Sequence, residues 1–392
     1  MHTSAPVRSF ETPMRLIVVT SLFIVGPLPY LILPGLMLGL AGRFHWNDTR
    51  LGVLATIELG GMAVISLTGL YWQNRWNWRW LAVCGALLIV AGDLASTKAT
   101  GFSGMAGARL LAGLGGGVLV ALYFAFLAHT KHPERNASVA TFAQISAQVL
   151  IYFQSARILD AWGLDGLYEL LAGTALLLLP FIGWVPNGPP ISSDPVNAGS
   201  RRRRSFTEQM PGLACLLANG LFFTAEVGIF SFFGEFGQQA AALTDSQTLN
   251  AIGLSTAAGL LGPAASYFLG QRLGYLRPLL FSAVAQIVTL LLLGRGGYGY
   301  WGYLTLAALL QALWQFTLPN LYGLMVVVDE SLMVAVPGAQ AIGIALGPTI
   351  IGYAVEHAGL AGATWIAAAL TLASLGIALP LCNRIKASPV AA

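Results

Sequence analysis

The sequence predicts an all-α membrane protein with 12 transmembrane helices in two pseudo-symmetric six-helix bundles. Three observations carry this prediction: 9% of the 392 residues are charged, 56% are hydrophobic, and the apolar residues come in long blocks. A soluble amphipathic helix keeps a polar face, whereas residues 118–128 have none. Blocks of about 20 to 28 residues, at 1.5 Å per residue, span the roughly 30 Å hydrocarbon core of a bilayer.

A hydropathy window of about 19 residues separates twelve spans. The predicted spans are residues 14–42, 51–72, 79–98, 103–128, 138–158, 167–187, 209–236, 245–270, 276–294, 299–327, 332–356 and 361–382. The first block is too long for a signal peptide and is followed by Arg43, so we expect a retained helix. Little chain remains outside the spans, which leaves no room for a soluble catalytic domain.

Basic residues in the predicted loops give the orientation. With the N-terminus inside, 14 Lys and Arg lie on the inner side and 5 on the outer side, and Arg109 remains within a span. Because cytoplasmic loops carry such an excess, we expect a multi-pass protein of the cytoplasmic (inner) membrane with both termini in the cytoplasm. The net charge of +4 reports this topology and gives no indication of nucleic-acid binding.

The longest polar break separates the sixth span from the seventh. It runs from about Pro186 to Glu208 and contains Pro, Gly, Ser and four consecutive arginines at 201–204, a composition typical of a solvated linker. We therefore predict an N-terminal bundle over residues 1–187, a cytoplasmic linker over 188–208 and a C-terminal bundle over 209–392. The arginines either anchor the topology or bind anionic lipid headgroups.

The two predicted bundles share a short basic loop at the same position. Arg75 and Arg79 follow the second span, and Arg272 and Arg277 follow the eighth. Duplication of six spans is common in transporters, which place the substrate site between the repeats.

These loops make the chain resemble the major facilitator superfamily of secondary transporters. The family's Gly-x-Leu-x-Asp-Arg-x-Gly-Arg loop motif is recognisable around Gly270, Arg272 and Gly274, whereas Gln73 and Trp76 replace the acid and the second glycine in the first copy.

Two further patterns in the spans resemble the same family. Arg109 and Gly113 match its Arg-x-x-x-Gly motif in the fourth span, and residues 343–352 match a glycine-rich pattern in the eleventh. The resemblance implies two bundles that rock about a central cavity lined by the first, fourth, seventh and tenth helices.

Four ionisable residues lie inside predicted spans. A charge in the hydrocarbon core costs several kcal/mol, so such residues are functional candidates. Glu58, Asp93 and Arg109 lie at a similar depth below the outer surface, about 8 to 11 Å at 1.5 Å per residue. Arg109 is expected to pair with either acid and leave the other to exchange a proton; a fixed Asp93–Arg109 pair that holds helices together is the alternative.

Glu226 lies near the middle of the seventh span. Helical spacing places it on one face with aromatic side chains and an amide: Asn219, Phe222, Phe223, Phe230 and Phe233. An acid in this setting suits a proton carrier or a ligand for a cationic group; a neutral acid that packs helices is the alternative.

Polar and aromatic residues at helical spacing predict the rest of a solute cavity. Amides in lipid turn toward partners within the protein, although an ordinary interhelical hydrogen bond explains any single one. The predicted substrate-binding residues are Tyr30, Tyr123, Gln144, Gln148, Tyr152, Asn219, Phe223, Glu226, Gln311, Trp314, Gln315 and Tyr322. This lining favours a neutral, amphipathic or cationic organic solute over a phosphate or dicarboxylate.

Enzymatic and metal-binding patterns are missing from the sequence. It has no Walker A loop, no His-Glu-x-x-His and no convincing histidine spacing, and Cys84, Cys215 and Cys382 each lie in an apolar run, as packed thiols do. We expect no cofactor, no metal site and no enzyme activity.

The sequence therefore predicts a monomeric secondary transporter with a small organic substrate, protons and the lipid bilayer as its partners. Glu226 and Glu58 are the leading proton-coupling residues, with Arg109 and Asp93 beside Glu58. The direction of transport stays open: drug:proton antiporters of the family carry a Gly-Pro-x-x-Gly-Gly pattern in the fifth span, yet residues 136–161 hold neither Gly nor Pro. A multidrug/proton antiporter is the alternative, and a transport-inactive receptor or an intramembrane enzyme is the alternative from another class.

Overall fold

The computed structural model describes residues 10–72, 75–127, 129–130, 133–188, 206–266, 276–329, 332 and 335–386. Every regular element of these residues is helical. The α-helices in chain order are α1 (Pro13–Val25), α2 (Leu28–Leu31), α3 (Leu33–Phe44), α4 (Asp48–Trp72), α5 (Trp78–Lys98), α6 (Phe102–Leu127), α7 (Pro133–Leu178), α8 (Phe206–Ser231), α9 (Phe233–Glu235), α10 (Asp245–Ala258), α11 (Leu276–Arg295), α12 (Gly299–Asp329) and α13 (Val336–Lys386). A 3₁₀ turn (Leu179–Trp184), a π turn (Phe236–Ala240) and a helical stretch over 261–266 complete them.

Seven helices of the described residues are long and apolar enough to cross a membrane. Two of them, over Val139–Trp184 and Gly338–Cys382, have 46 and 45 residues, about twice the length that one crossing needs. Each of these two helices is interrupted by one glycine in an extended positive-φ conformation, Gly163 (φ 63°, ψ −158°) and Gly359 (φ 68°, ψ −177°). This backbone region is essentially restricted to glycine, so each long helix makes two crossings joined at its glycine.

The predicted spans are recovered in order, with four differences. The first span is three helices, because Pro27 and Pro29 interrupt its hydrogen bonding and Ile32 leaves the helical region. The seventh ends in α9 and the π turn. The fifth and sixth spans have no polar loop between them, and neither do the eleventh and twelfth, since Gly163 and Gly359 alone make those connections.

Three matched backbone features reveal the internal duplication. Ile32 (φ −109°, ψ 17°) and Phe232 (φ −102°, ψ 13°) break the first and seventh spans. His45 and Ala242, both with positive φ, precede the second and eighth spans. With Gly163 and Gly359, each pair is about 200 residues apart, which is the spacing expected of two similar bundles.

The first half of α4 contacts α13 of the other bundle through several hydrogen bonds. Asn47 Nδ2 donates to Glu356 Oε1 (2.9 Å), the backbone N–H of Thr49 donates to Glu356 Oε2 (3.2 Å), and the hydroxyls of Thr56 and Thr349 are 2.6 Å apart. On the neighbouring helices the side chain of Leu38 packs against Gly234. This end of the interface is therefore closed.

Candidate functional site

Arg109 lies at the centre of a buried charge cluster made by four helices. Its Nη1 donates to Glu58 Oε1 of α4 at 3.0 Å, and its Nη2 donates to Asp93 Oδ1 of α5 at 2.6 Å. Its Nε donates to Ser96 Oγ at 3.0 Å, and its guanidinium lies 4.5 Å from the ring centroid of Tyr168 in α7. Such charge-assisted bonds with a planar guanidinium fix the relative positions of the helices that carry them.

The cluster is isolated from solvent. Arg109 is 1% exposed, Asp93 0% and Glu58 5%. Helix α6 comes this close to α4 because residue 113 is glycine: a Cβ there would collide with the carbonyl oxygen of Glu58. The structure thus brings together Glu58, Asp93 and Arg109, which the sequence placed at a similar depth in the membrane. It differs from the expectation that Arg109 pairs with one acid, because Arg109 binds both acids at once.

Glu226 forms a separate acidic site on α8. It is 7% exposed and lines a small cavity of about 10 Å³, which has room for about one water molecule. Within the described part of the chain no hydrogen-bond donor or cation contacts its carboxylate. The other residues around this cavity are Ile229, Phe230, Phe233, Leu310, Gln311 and Trp314.

Aromatic rings surround this carboxylate. Phe230, one turn after Glu226, contacts the rings of Phe233, Trp314 and Tyr30 with centroids 5.6, 6.2 and 6.3 Å away. Phe223, on the other side of Glu226 along α8, contacts Trp314 at 6.1 Å. Tyr30 belongs to the N-terminal bundle, so the rings come from both halves of the protein.

A polar group lies about two turns before Glu226 on α8. Asn219 Oδ1 accepts a hydrogen bond from Gln340 Nε2 at 3.1 Å, and Gln340 Nε2 also donates to the Tyr322 hydroxyl at 2.7 Å. Asn219 Nδ2 has no acceptor among the described residues. Gln340 was missed in the sequence, although it is an amide in an apolar span and the reasoning used for Gln311 applies to it equally.

Gln144 and Gln148 bond the broken first span. Gln144 Nε2 donates to the carbonyl of Phe23 (2.9 Å), and Gln148 Nε2 donates to the carbonyl of Leu31 (2.7 Å). The Phe23 carbonyl needs this donor because residue 27 is proline, and the Leu31 carbonyl needs it because Gly35 N–H bonds Ile32 instead. Both amide nitrogens therefore donate to backbone carbonyls of another helix. This is the ordinary interhelical hydrogen bond that the sequence left open as the alternative to substrate binding, and substrate contact by these residues stays a prediction.

The remaining predicted residues are divided between three places. Tyr152 is fully buried and packs against Gly253 of α10, at the contact between the bundles. Gln315 packs against Gly259, which also contacts Gln311, and it is not among the residues that line the Glu226 cavity. Tyr123 stacks on Phe23 with centroids 4.2 Å apart, and its buried hydroxyl has no partner among the described residues.

A second, larger cavity lies between α1, α6 and the start of α7. It has a volume of about 380 Å³, and Tyr123 forms part of its wall. Among its other lining residues, Glu11 accepts a hydrogen bond from Asn136 Nδ2 at 3.1 Å. Both residues lie near the start of their helices, at the end of the bundle remote from Asn47.

Two other expectations concern residues outside these sites. In the described residues no group of three or more His, Cys, Asp and Glu is placed to hold a metal ion. Cys215 and Cys382 are buried, but Cys84 is exposed on the surface of α5, so the expectation of a packed thiol was wrong there. The basic loop around Gly270, Arg272 and Gly274, the substituted Gln73 and the arginines 201–204 lie outside the described residues.

Long apolar helices, two of them double crossings, and buried ionisable groups among them define the class: a polytopic membrane protein. The chain belongs to the Major Facilitator Superfamily, whose family model matches residues 18–329. It is therefore a multi-pass membrane protein and a secondary transporter of a small molecule.

Solved structures of this fold resemble the whole chain. A D-xylose-proton symporter is 16% identical, with a TM-score of 0.76 over 93% of this chain and 96% of that chain. The xylose transporter XylE from E. coli in a partially occluded inward-open conformation is 14% identical (TM-score 0.72; 92% and 95% covered). An inward-facing bacterial homologue of the human lysosomal transporter Spinster is 13% identical (TM-score 0.73; 97% and 100% covered). At these identities the likeness shows the fold alone.

Proposed function

We propose that this protein is a proton-coupled carrier that moves a small organic solute across the cytoplasmic membrane by alternating access, as a monomer with both termini in the cytoplasm. The observation that carries proton coupling is the charge balance of the Arg109 cluster. Two carboxylates face one guanidinium, so the fully ionised cluster has a formal charge of −1, and in the described residues no further cation contacts it. An uncompensated charge in hydrocarbon costs several kcal/mol, which favours one bound proton.

The cluster contains a place for that proton. Asp93 Oδ2 is buried and has no partner among the described residues, whereas Oδ1 accepts from Arg109. When a proton binds Asp93 Oδ2 or Glu58, one ionised carboxylate remains to pair with the guanidinium, and the cluster is neutral. Gain and loss of this proton then change which acid Arg109 binds more strongly.

Helix α4 connects this change to the contact between the bundles. Glu58, which binds Arg109, lies two residues after Thr56, whose hydroxyl meets Thr349 of α13. A shift of α4 toward or away from Arg109 therefore also alters the closed end of the interface. Such a two-state contact is what ties an ion gradient to alternating access.

The Glu226 cavity supports a solute path between the bundles, because Tyr30 of the N-terminal bundle packs against its lining residue Phe230 of the C-terminal bundle. The basic-residue bias places Asn47 and Glu356 outside, so their contacts close the outer end, and the 380 Å³ cavity lies toward the inner end. Glu226, Trp314, Gln311, Tyr30 and their neighbours form the solute site between these ends, and Glu226 is the second candidate to carry a proton.

The test is solute-driven proton movement in proteoliposomes. A thermal-shift screen of the purified protein first identifies a stabilising solute, and a pH-sensitive dye inside the vesicles then reports protons that move with it. We expect the Glu58→Gln variant to lose the solute-driven pH change while it still exchanges labelled solute across the membrane. Glu235→Gln is the matched control, because Glu235 is also a buried acid but already accepts from Gln239 Nε2 at 2.7 Å. Equal gradient-driven accumulation by parent and Glu58→Gln would refute proton coupling through this cluster.

A further inference from the structure

We infer that the Glu226 site binds an organic ammonium ion, and that this ligand and a proton exclude each other there. The inference deepens the proposed function, since it names the solute class of the same site. It rests on three features of that site: a lone carboxylate, a set of aromatic rings around it, and a buried donor without an acceptor.

The carboxylate sets the charge of the ligand. Within the described residues, the groups that face Glu226 from its own helix and from α12 are hydrocarbon, aromatic or amide, with no Lys, Arg or His among them. From α2 the one titratable side chain is that of Tyr30, whose ring contacts Phe230 with centroids 6.3 Å apart. A single negative charge in a dry site is neutralised by one positive charge, which is either a proton or a cationic ligand.

The rings select the chemistry of a cationic ligand. Phe230, Phe233, Trp314 and Tyr30 lie around the carboxylate, with the Phe230 ring within 5.6 to 6.3 Å of the other three. Aromatic faces attract alkylammonium groups, and the attraction strengthens when the pair is removed from water. A small inorganic cation would instead require several oxygen ligands, whereas the cavity lining within the described residues offers one carboxylate and the amide of Gln311.

A buried donor indicates that the site is incomplete without a ligand. Trp314 Nε1 is buried and has no acceptor among the described residues. A buried N–H without a partner costs about 1–3 kcal/mol. A ligand that carries an oxygen atom beside its ammonium group would supply the acceptor. The cavity has a volume of about 10 Å³, so such a ligand enters only when side chains around the cavity move apart.

Competition with a proton determines the direction of coupling. A protonated Glu226 has no charge to offer an ammonium ion, and binding both would leave an uncompensated positive charge in the bilayer. The carrier therefore takes up one as it releases the other, which is exchange of a proton for an organic cation. Exchange of this kind is antiport. It would therefore decide the direction of transport, which the sequence left open.

The test compares two probes of similar shape, one charged and one uncharged. Choline and 3,3-dimethylbutan-1-ol have nearly the same shape and the same hydroxyl, but only choline is a cation. Isothermal titration calorimetry of the full-length protein in detergent should show choline binding about thirtyfold more tightly, a difference of about 2 kcal/mol that requires both the carboxylate and the rings around it. Choline affinity should fall as the pH is lowered.

Variants assign the effect to this site. Glu226→Gln should bring the two affinities within about twofold of each other, and Trp314→Leu should reduce the preference that Trp314→Phe keeps. Glu58→Gln should retain both the preference and its pH dependence, because its acid belongs to the Arg109 cluster. Thermal unfolding confirms that each variant is folded.

Two results separate this inference from the proposed function. Equal affinity for the two probes, binding of neither, or an unchanged preference in Glu226→Gln overturns the ammonium site. Solute-driven proton movement that depends on Glu58 would still stand in that case. Conversely, choline selectivity that depends on Glu226 would remain if proton coupling through Glu58 failed.

Discussion

At the scale of single residues, burial decides which ion pairs matter. Arg109 and Arg43 each pair with an aspartate, yet the side chains of Arg43 and Asp165 are 32% and 43% exposed, whereas Arg109 and Asp93 are 1% and 0% exposed. Water screens the first pair, and exposed pairs contribute about 0–1 kcal/mol. Removing one partner of a buried pair leaves an uncompensated charge, which costs about 3–5 kcal/mol.

Arg109→Met should therefore destabilise the protein by about 3–5 kcal/mol, while Arg43→Met changes its stability by about 1 kcal/mol or less. Tryptophan fluorescence during thermal unfolding in detergent measures both. Adding Glu58→Gln and Asp93→Asn to Arg109→Met should recover most of the loss, because no charge then remains buried. Similar losses for the Arg43 and Arg109 variants would show that the cluster is not the anchor of its four helices.

At the scale of helices, the breaks in the spans matter as much as their lengths. The helical hydrogen bonding of the first span is interrupted near Pro27 and Ile32. The two carbonyls that lack a donor within the span accept hydrogen bonds from glutamines of α7. The seventh breaks at Phe232, and the carbonyl of Phe233 accepts from the hydroxyl of Tyr303 in α12 at 2.7 Å. Each bundle thus holds its broken helix through a side chain of another helix, a requirement that follows from the lack of water in the bilayer.

Gln148→Leu should lower the stability of the protein by about 1–2 kcal/mol, since the Leu31 carbonyl loses its donor in a buried position. Ser146→Ala, two residues away, is the matched control: its hydroxyl bonds the carbonyl of Phe142 within its own helix and lies at the exposed surface. Unfolding midpoints in detergent compare the two. A Ser146 variant as unstable as the Gln148 variant would indicate that α7 helicity, and not the bond to the first span, is what both changes disturb.

At the scale of the whole molecule, the two bundles meet where α4 packs against α13. Thr56 and Thr349 are two residues of different bundles whose hydroxyls are 2.6 Å apart. Alternating access requires this contact to open in each cycle. A covalent bond at this position therefore reports whether the bundles separate there.

Thr56→Cys with Thr349→Cys, in a protein whose native Cys84, Cys215 and Cys382 are replaced by serine, should form a disulfide on oxidation. A protease site in the linker shows the bond on a non-reducing gel, because the cleaved halves stay joined. Solute flux should stop in the oxidised protein and return on reduction, and Thr56→Cys alone should be insensitive to oxidant. Full flux with the disulfide intact would contradict opening at α4 and α13.

Most of the helical plan could be predicted from the sequence, and much of the site could not. Span length, span order and the isolation of Glu58, Asp93, Arg109 and Glu226 among apolar residues follow from hydropathy alone. The four crossings on either side of Gly163 and Gly359 were predicted, but the direct reversals at these residues were not, because a single glycine in a positive-φ conformation reverses the chain without any polar loop. Gln340 was not grouped with Asn219 and Tyr322, because periodicity identifies a helix face and not the neighbour which that face meets.

The sequence by itself determined that this chain crosses the membrane many times and that a few acids and one arginine are confined within it, because the cost of placing polar groups in lipid acts locally on every segment. Only the tertiary structure decided that Arg109 holds both Glu58 and Asp93, that Gln144 and Gln148 serve the broken first span, and that the rings of two bundles surround Glu226. These contacts join residues far apart in the chain, and they depend on how closely whole helices approach one another, which no local pattern specifies.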